Sequence, residues 1–249
     1  MKPTKPTTTQ TDRIYAEPSD HIDGFRFDAV VADVFENMIT RSVPGYGLML
    51  DLIAVLTDRF AQPGTNCYDL GCSLGASTLK LRQHLPASCH LIGIDTSEAM
   101  VERCRANLER DRSQASVEIL QQSVQDTPIE NASIVVMNFT LQFIPDEERS
   151  AVLKRIADGL APGGILILAE KIHFDDPNEQ AQMVDLHHEF KRAQGYSDLE
   201  IAQKRASLEN VLIPNTEQEH VDRLIAAGFG SARLYVRCFN FVSFLAIKL

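Results

Sequence analysis

The chain has 249 residues, an ordinary apolar fraction of 44 % and a formal net charge of −10. That charge opposes a hold on a phosphate backbone, so direct nucleic-acid binding is not expected. No apolar run approaches the roughly 20 residues of a membrane span. The first residues also lack an apolar signal core, and the five cysteines, without CxxC or Cys/His metal spacing, read as reduced thiols of a cytoplasmic protein without a metal site.

Residues 1–20 are rich in Thr, Pro and Lys and read as a disordered tail, leaving 21–249 as a single domain. A helix is expected over 27–39, with Val30, Val34 and Met38 at helical spacing. Ser42-Val43-Pro44-Gly45 breaks it, and a second helix follows over 46–60. The chain then alternates. Strands are expected at 66–70, 90–95, 117–121, 133–138 and 165–170, and helices at 75–85, 98–109 and 147–160. Ser97 is placed to cap the helix that starts at Glu98, and Pro162-Gly163-Gly164 to stop the one before the fifth strand. Residues 174–228 interrupt the rhythm with helical segments at about 178–194, 198–212 and 216–227. Strands at 232–237 and 241–247, joined by a turn at Phe239-Asn240, must pair antiparallel because the link is so short. The whole reads as an α/β, Rossmann-like, seven-stranded and mostly parallel sheet that closes with an antiparallel hairpin. The leading helices and the 174–228 insertion are candidates for a lid.

The turn after the first strand, Gly71-Cys72-Ser73-Leu74-Gly75, has the form G-x-S-x-G. A hydrolase nucleophile elbow has that form but needs a later acid and then a histidine. After position 188 only His220 remains, in a polar run that looks like a helix start. The dinucleotide pattern G-x-G-x-x-G does not match. A third reading is the glycine loop of an S-adenosylmethionine-binding fold, in which Asp69 supplies the usual preceding acid. Asp95 ends the second strand, where an acid accepts both ribose hydroxyls of an adenosine. Ser123 and Val124 follow the third strand, where an adenine edge would be read, and Asn138 ends the fourth, near the reacting end of a ligand. Four strand ends with ligand-type residues and a closing hairpin describe a class I S-adenosylmethionine-dependent methyltransferase fold.

Five runs carry a closer likeness: RSVPGY (41–46), YDLGCSLGA (68–76), NFTLQF (138–143), FKRAQGYSDLEIAQKRASLEN (190–210) and CFNF (238–241). They resemble the carboxy-S-adenosyl-L-methionine synthases and extend from about residue 25 to the end. The resemblance implies conversion of S-adenosyl-L-methionine and prephenate to carboxy-S-adenosyl-L-methionine, phenylpyruvate and water. In that chemistry a sulfonium ylide captures carbon dioxide, and a lid must exclude water. It implies a homodimer without metal, whose product supplies a tRNA carboxymethyltransferase acting on a wobble uridine. It also implies cofactor contacts at Tyr46, Gly71, Cys72, Ser73, Asp95, Thr96, Ser123, Val124, Asn138 and Arg205. Thr96 stands where the family commonly has Asn, and Ser123-Val124 where it has Asp-Ile, so the usual carboxylate for the adenine amino group is absent.

Arg205 is the residue the family uses on the product carboxylate, within the subunit or across a dimer interface. Ile201, Leu208 and Leu212 lie at helical spacing around it. Arg41 and Arg192 are further cations that prephenate could engage, though each reads more readily as a surface charge, and His187-His188 reads as structural. Two other functions share the cofactor motifs: a small-molecule methyltransferase, and a non-catalytic S-adenosylmethionine-binding partner of a tRNA-modifying enzyme.

Overall fold

The computed structural model describes residues 10–19 and 21–249. Helix α1 (Ala29–Ser42) starts where the Asp28 side chain accepts the Val31 N–H. It ends at Val43, which is extended, as a residue before proline must be. Gly45, at φ +81, turns the chain into α2 (Tyr46–Phe60). The alternating part follows as β1 (Asn66–Leu70), α3 (Ala76–His84), β2 (His90–Asp95), α4 (Glu98–Leu108), β3 (Ser116–Gln121), β4 (Ala132–Asn138), α5 (Asp146–Gly159) and β5 (Leu160–Lys171). Ser97 caps α4 by accepting the Met100 N–H. Helices α6 (Pro177–Ala193), α7 (Asp198–Leu208) and α8 (Glu217–Ala226) precede the hairpin β6 (Ser231–Cys238) and β7 (Phe241–Ile247).

The seven strands form one sheet in the order β3-β2-β1-β4-β5-β7-β6. The first five are parallel, and β7 runs antiparallel to both neighbours. The apolar run of β4 explains its central place. Ile134 and Val136 pack on one face with Ile53 of α2 and Leu81 of α3, while Val135 and Met137 pack on the other with Leu153 and Ile156 of α5 and Leu224 of α8. Each such side chain contributes roughly 1.5–3 kcal/mol on burial. Strand order reverses between β1 and β4, so a crevice opens at their carboxyl ends.

Three expectations need correction. Residues 10–19 are not a tail: Asp12 is buried, its N–H donates to Asn37 Oδ1 at 2.9 Å, and its Oδ2 accepts from the Tyr196 hydroxyl at 2.5 Å. Gln203 Nε2 donates to the carbonyls of Tyr15 and Glu17. This segment is held by polar bonds, which a count of apolar residues does not register; residues 1–9 and 20 lie outside the described residues. Second, α5 ends at Gly159, where a Cβ would sit 2.0 Å from the Ile129 carbonyl oxygen, and Pro162-Gly163-Gly164 lies inside β5 at a register shift. Third, α7 stops at Leu208, because Asn210 takes a left-handed conformation. Of the helices in the 174–228 insertion, α8 packs with α5 on the sheet, so α1, α2, α6 and α7 are left to cover the crevice. Among the described residues no single helix is long and apolar enough to cross a membrane.

Candidate active site

The carboxyl ends of β1, β2, β4 and β5 open into a cavity of about 880 Å³. Its floor is the glycine loop. Gly71 sits at φ +86, and a Cβ there would lie 2.2 Å from Thr140 Oγ1, so only glycine lets the β1 turn approach the loop after β4. The Gly71 and Cys72 N–H groups both donate to the Ile94 carbonyl, which ties the loop to β2. Asp95 completes that tie: its Oδ2 accepts the Ser73 N–H at 3.0 Å and its Oδ1 the Ser97 N–H at 2.9 Å. Burial raises the Asp95 pKa, and these backbone donors oppose the rise. A carboxylate oxygen accepts more than one hydrogen bond, so Asp95 keeps acceptor capacity for a pair of ligand hydroxyls.

Tyr46, Gly71, Cys72, Ser73, Asp95, Thr96, Val124 and Asn138 all line this one cavity. Asn138 Nδ2 donates to Ser77 Oγ at 3.0 Å, while its Oδ1 is buried with no partner among the described residues. That acceptor is left for a donor on a ligand. Burial, then the charges of Asp69 and Glu36, raise the Tyr46 pKa, so its hydroxyl stays protonated. Asp69 lies beneath the loop, fully buried and hydrogen-bonded to the Thr78 hydroxyl at 2.6 Å; burial pushes its pKa to about 7.

Ser123 does not line the cavity. Its hydroxyl donates to Gln125 Oε1 at 2.7 Å and accepts the Gln125 N–H, which fixes a 3₁₀ turn over Val124–Asp126. Gln122, Val124 and Gln125 face the cavity there. Arg205 is also outside it. The inward stripe of α7 is Ile201, Lys204 and Leu208, and Arg205 is exposed beside it. It is nonetheless near enough that, after burial, its charge helps to lower the Lys171 pKa. Arg192 pairs with Asp198 and Glu189, and Arg41 stacks on Tyr196 with its Cζ 3.9 Å from the ring centroid. Both are structural cations.

The sequence reading misses three lysines on the cavity wall: Lys171 at the end of β5, Lys191 on α6 and Lys204 on α7. The signal for Lys171 is its place at the end of a parallel strand, like Asp95 and Asn138. For Lys191 it is the i,i+4 spacing from His187. His187 lines the same cavity: its Nε2 donates to the Ser42 carbonyl at 2.8 Å, and its ring packs edge-on to Phe241. Burial, then Lys191, hold its pKa far below the usual range, so the ring is neutral. Over the crevice, Phe27 packs edge-to-face on Phe143, with centroids 5.2 Å apart, so the lid segment meets the loop after β4 through an aromatic contact. Among the described residues, no group of three or more His, Cys, Asp or Glu is placed to hold a metal ion.

A methyltransferase domain family matches residues 68–164. Human N-acetylserotonin methyltransferase, solved in complex with S-adenosylmethionine, superposes with a TM-score of 0.59 at 16 % identity, over 88 % of this chain and 55 % of that one. Magnesium protoporphyrin IX methyltransferase of Synechocystis PCC 6803 does so with a TM-score of 0.57 at 19 % identity, over 82 % and 84 %. These share the fold. Relatives named carboxy-S-adenosyl-L-methionine synthase are much nearer in sequence: that of Hahella chejuensis is 56 % identical over 95 % of this chain and 98 % of its own. That of Citrifermentans bemidjiense is 53 % identical over 97 % and 100 %. At such identity over nearly the full length, the chain belongs to the carboxy-S-adenosyl-L-methionine synthase family.

Proposed function

We propose that the protein converts S-adenosyl-L-methionine and prephenate to carboxy-S-adenosyl-L-methionine, phenylpyruvate and water. The observation that carries this reading is a single cavity with two chemically different parts. One is the glycine loop with Asp95, suited to an adenosine. The other holds Lys171, Lys191 and Lys204, suited to carboxylates. Asp95 and Lys171 end β2 and β5, three strand positions apart, or roughly 14 Å at the spacing of paired strands. That span suits two substrates lying end to end.

In this reading Asp95 takes the ribose hydroxyls, Thr96 and Val124 flank the adenosine, and Asn138 Oδ1 accepts from the ligand's amino end. Gly71, Cys72 and Ser73 supply close backbone contact. Prephenate loses its ring carboxylate as carbon dioxide and its ring hydroxyl as hydroxide, and becomes aromatic. Hydroxide takes a proton from the sulfonium methyl to make water, and that methyl carbon bonds to the carbon dioxide. Charge and atoms balance without an oxidant. Closure by α1, α2, α6 and α7, with the Phe27–Phe143 contact, would keep bulk water from the carbon dioxide.

The reading extends to assembly and pathway. The protein would act as a homodimer, with exposed Arg205 presented to the product carboxylate in the partner's cavity. The product would then serve a tRNA carboxymethyltransferase. The test is turnover of purified protein with both substrates, followed by mass spectrometry. A carboxylated adenosyl product that forms only when prephenate is added supports the reading. Methyl transfer to a small acceptor without such a product would favour an ordinary methyltransferase, and cofactor binding without any turnover would favour a non-catalytic binding partner.

A further inference from the structure

The three lysines differ in what compensates them. Lys204 Nζ lies 3.9 Å from Asp12 Oδ2 and donates to Ser42 Oγ at 3.1 Å. Lys191 is 7 % exposed, yet among the described residues its amine makes no ion pair or hydrogen bond, and neither does that of Lys171. A buried ammonium is expensive unless it is paired. Lys191 is such a group; half-buried Lys171 shares its cavity wall, beside neutral His187, and the two unpaired amines face a space of ligand size.

Resting on the reading above, we propose that Lys171 and Lys191 are the paired anchors of a dicarboxylate dianion, with Lys204 and His187 as the neutralised frame that holds them. Charge matching carries the assignment. Lys204 has a carboxylate partner in Asp12 Oδ2, 3.9 Å away, which leaves Lys171 and Lys191 as the two wall amines without one among the described residues. The frame is built from separate elements. Ser42, at the end of α1, accepts from both His187 of α6 and Lys204 of α7. Tyr196, between α6 and α7, donates to Asp12, which keeps that carboxylate beside Lys204. The electrostatics point the same way: burial, then Lys204 and Lys171, lower the Lys191 pKa to about 7. An amine repelled by its neighbours in the free protein is one that an arriving dianion stabilises most.

The test is calorimetric titration of the full chain, saturated with S-adenosylhomocysteine, with prephenate and separately with malonate as a plain dicarboxylate probe. Loss of one charge-assisted contact predicts affinity about tenfold to a hundredfold weaker in Lys191→Met and in Lys171→Met. Lys191→Arg should recover part of it, and S-adenosylhomocysteine affinity in all three variants should stay within about twofold, showing an intact fold. Dianions that bind the methionine variants as tightly as the parent would overturn the proposal. If malonate binds in a Lys191-dependent way and prephenate does not bind at all, the anion site stands and the prephenate reading falls. If neither dianion binds the parent, both fall.

Discussion

Replacing Lys191 by methionine should make the ligand-free protein more stable, not less. Methionine keeps most of the apolar stem and removes the amine. The lysine pKa falls from 10.5 unfolded to about 7 folded, chiefly through burial. At about 1.4 kcal/mol per pH unit, this sets a ceiling of roughly 4–5 kcal/mol on the penalty of holding the charge in the folded state. The amine faces a cavity open to water, so the net gain expected from the substitution is smaller, about 1–2 kcal/mol, or roughly 3–6 °C in melting temperature for a chain of this size. The penalty is full below pH 7, where both states carry the proton. It shrinks as pH rises from 7 to 10.5, because the folded state gives up its proton first. Melting curves of parent and variant between pH 6.5 and 10 should therefore start several degrees apart and converge. Added malonate should narrow the gap at low pH by stabilising the parent alone. A variant that melts at or below the parent at pH 6.5, with no pH dependence in the difference, would refute the claim that this amine is uncompensated.

Other expectations concern the cofactor end and the assembly. Asp95→Asn should weaken S-adenosylmethionine binding about tenfold or more in a direct titration and also lower the melting temperature, since its one oxygen can serve only one of the Ser73 and Ser97 N–H groups and the amide turns a donor toward the other. Gly71→Ala should cost roughly 1–3 kcal/mol in denaturant unfolding and abolish tight cofactor binding, because the new Cβ meets Thr140 and the φ of +86° disfavours alanine. Gly71→Ala/Thr140→Ala, which removes the hydroxyl and methyl nearest the new Cβ, should recover only part of the stability, because the backbone conformation is unchanged. If Arg205 acts across a dimer, mixing Arg205→Ala subunits with Asp95→Ala subunits should restore activity that neither variant has alone. An absence of restoration in an exchanging mixture would place Arg205 in its own subunit or outside catalysis.

The central strands were legible because β1, β4 and β5 are largely buried on both faces and so show as apolar runs, with Ile134 to Met137 the clearest case, whereas the edge strand β3 is exposed at Ser116, Glu118 and Gln121. The start of α4 was legible from its cap, Ser97. The glycine loop, Asp95 and Asn138 were legible because strand ends in this topology share one edge. What escaped depended on tertiary convergence or on polar burial. Asp12 is buried by hydrogen bonds from three directions, in a stretch that composition marks as solvated. On α7 the apolar neighbours of Arg205 suggested that it faced inward, but Lys204, one residue earlier, turns in and Arg205 stays at the rim. Lys171, Lys191 and Lys204 belong to three different elements, and lysines scattered along a sequence look like surface charges until β5, α6 and α7 bring them together.

The most direct test of the central claim follows the carboxyl carbon. Prephenate labelled isotopically in its ring carboxylate is incubated with the protein and unlabelled S-adenosylmethionine, and the adenosyl product is examined by mass spectrometry. Transfer from prephenate predicts that the product carries the label stoichiometrically, even when unlabelled bicarbonate is present in excess. An unlabelled carboxylated product would mean that the carbon enters from solution, and the cavity would not be the closed chamber in which the two substrates meet.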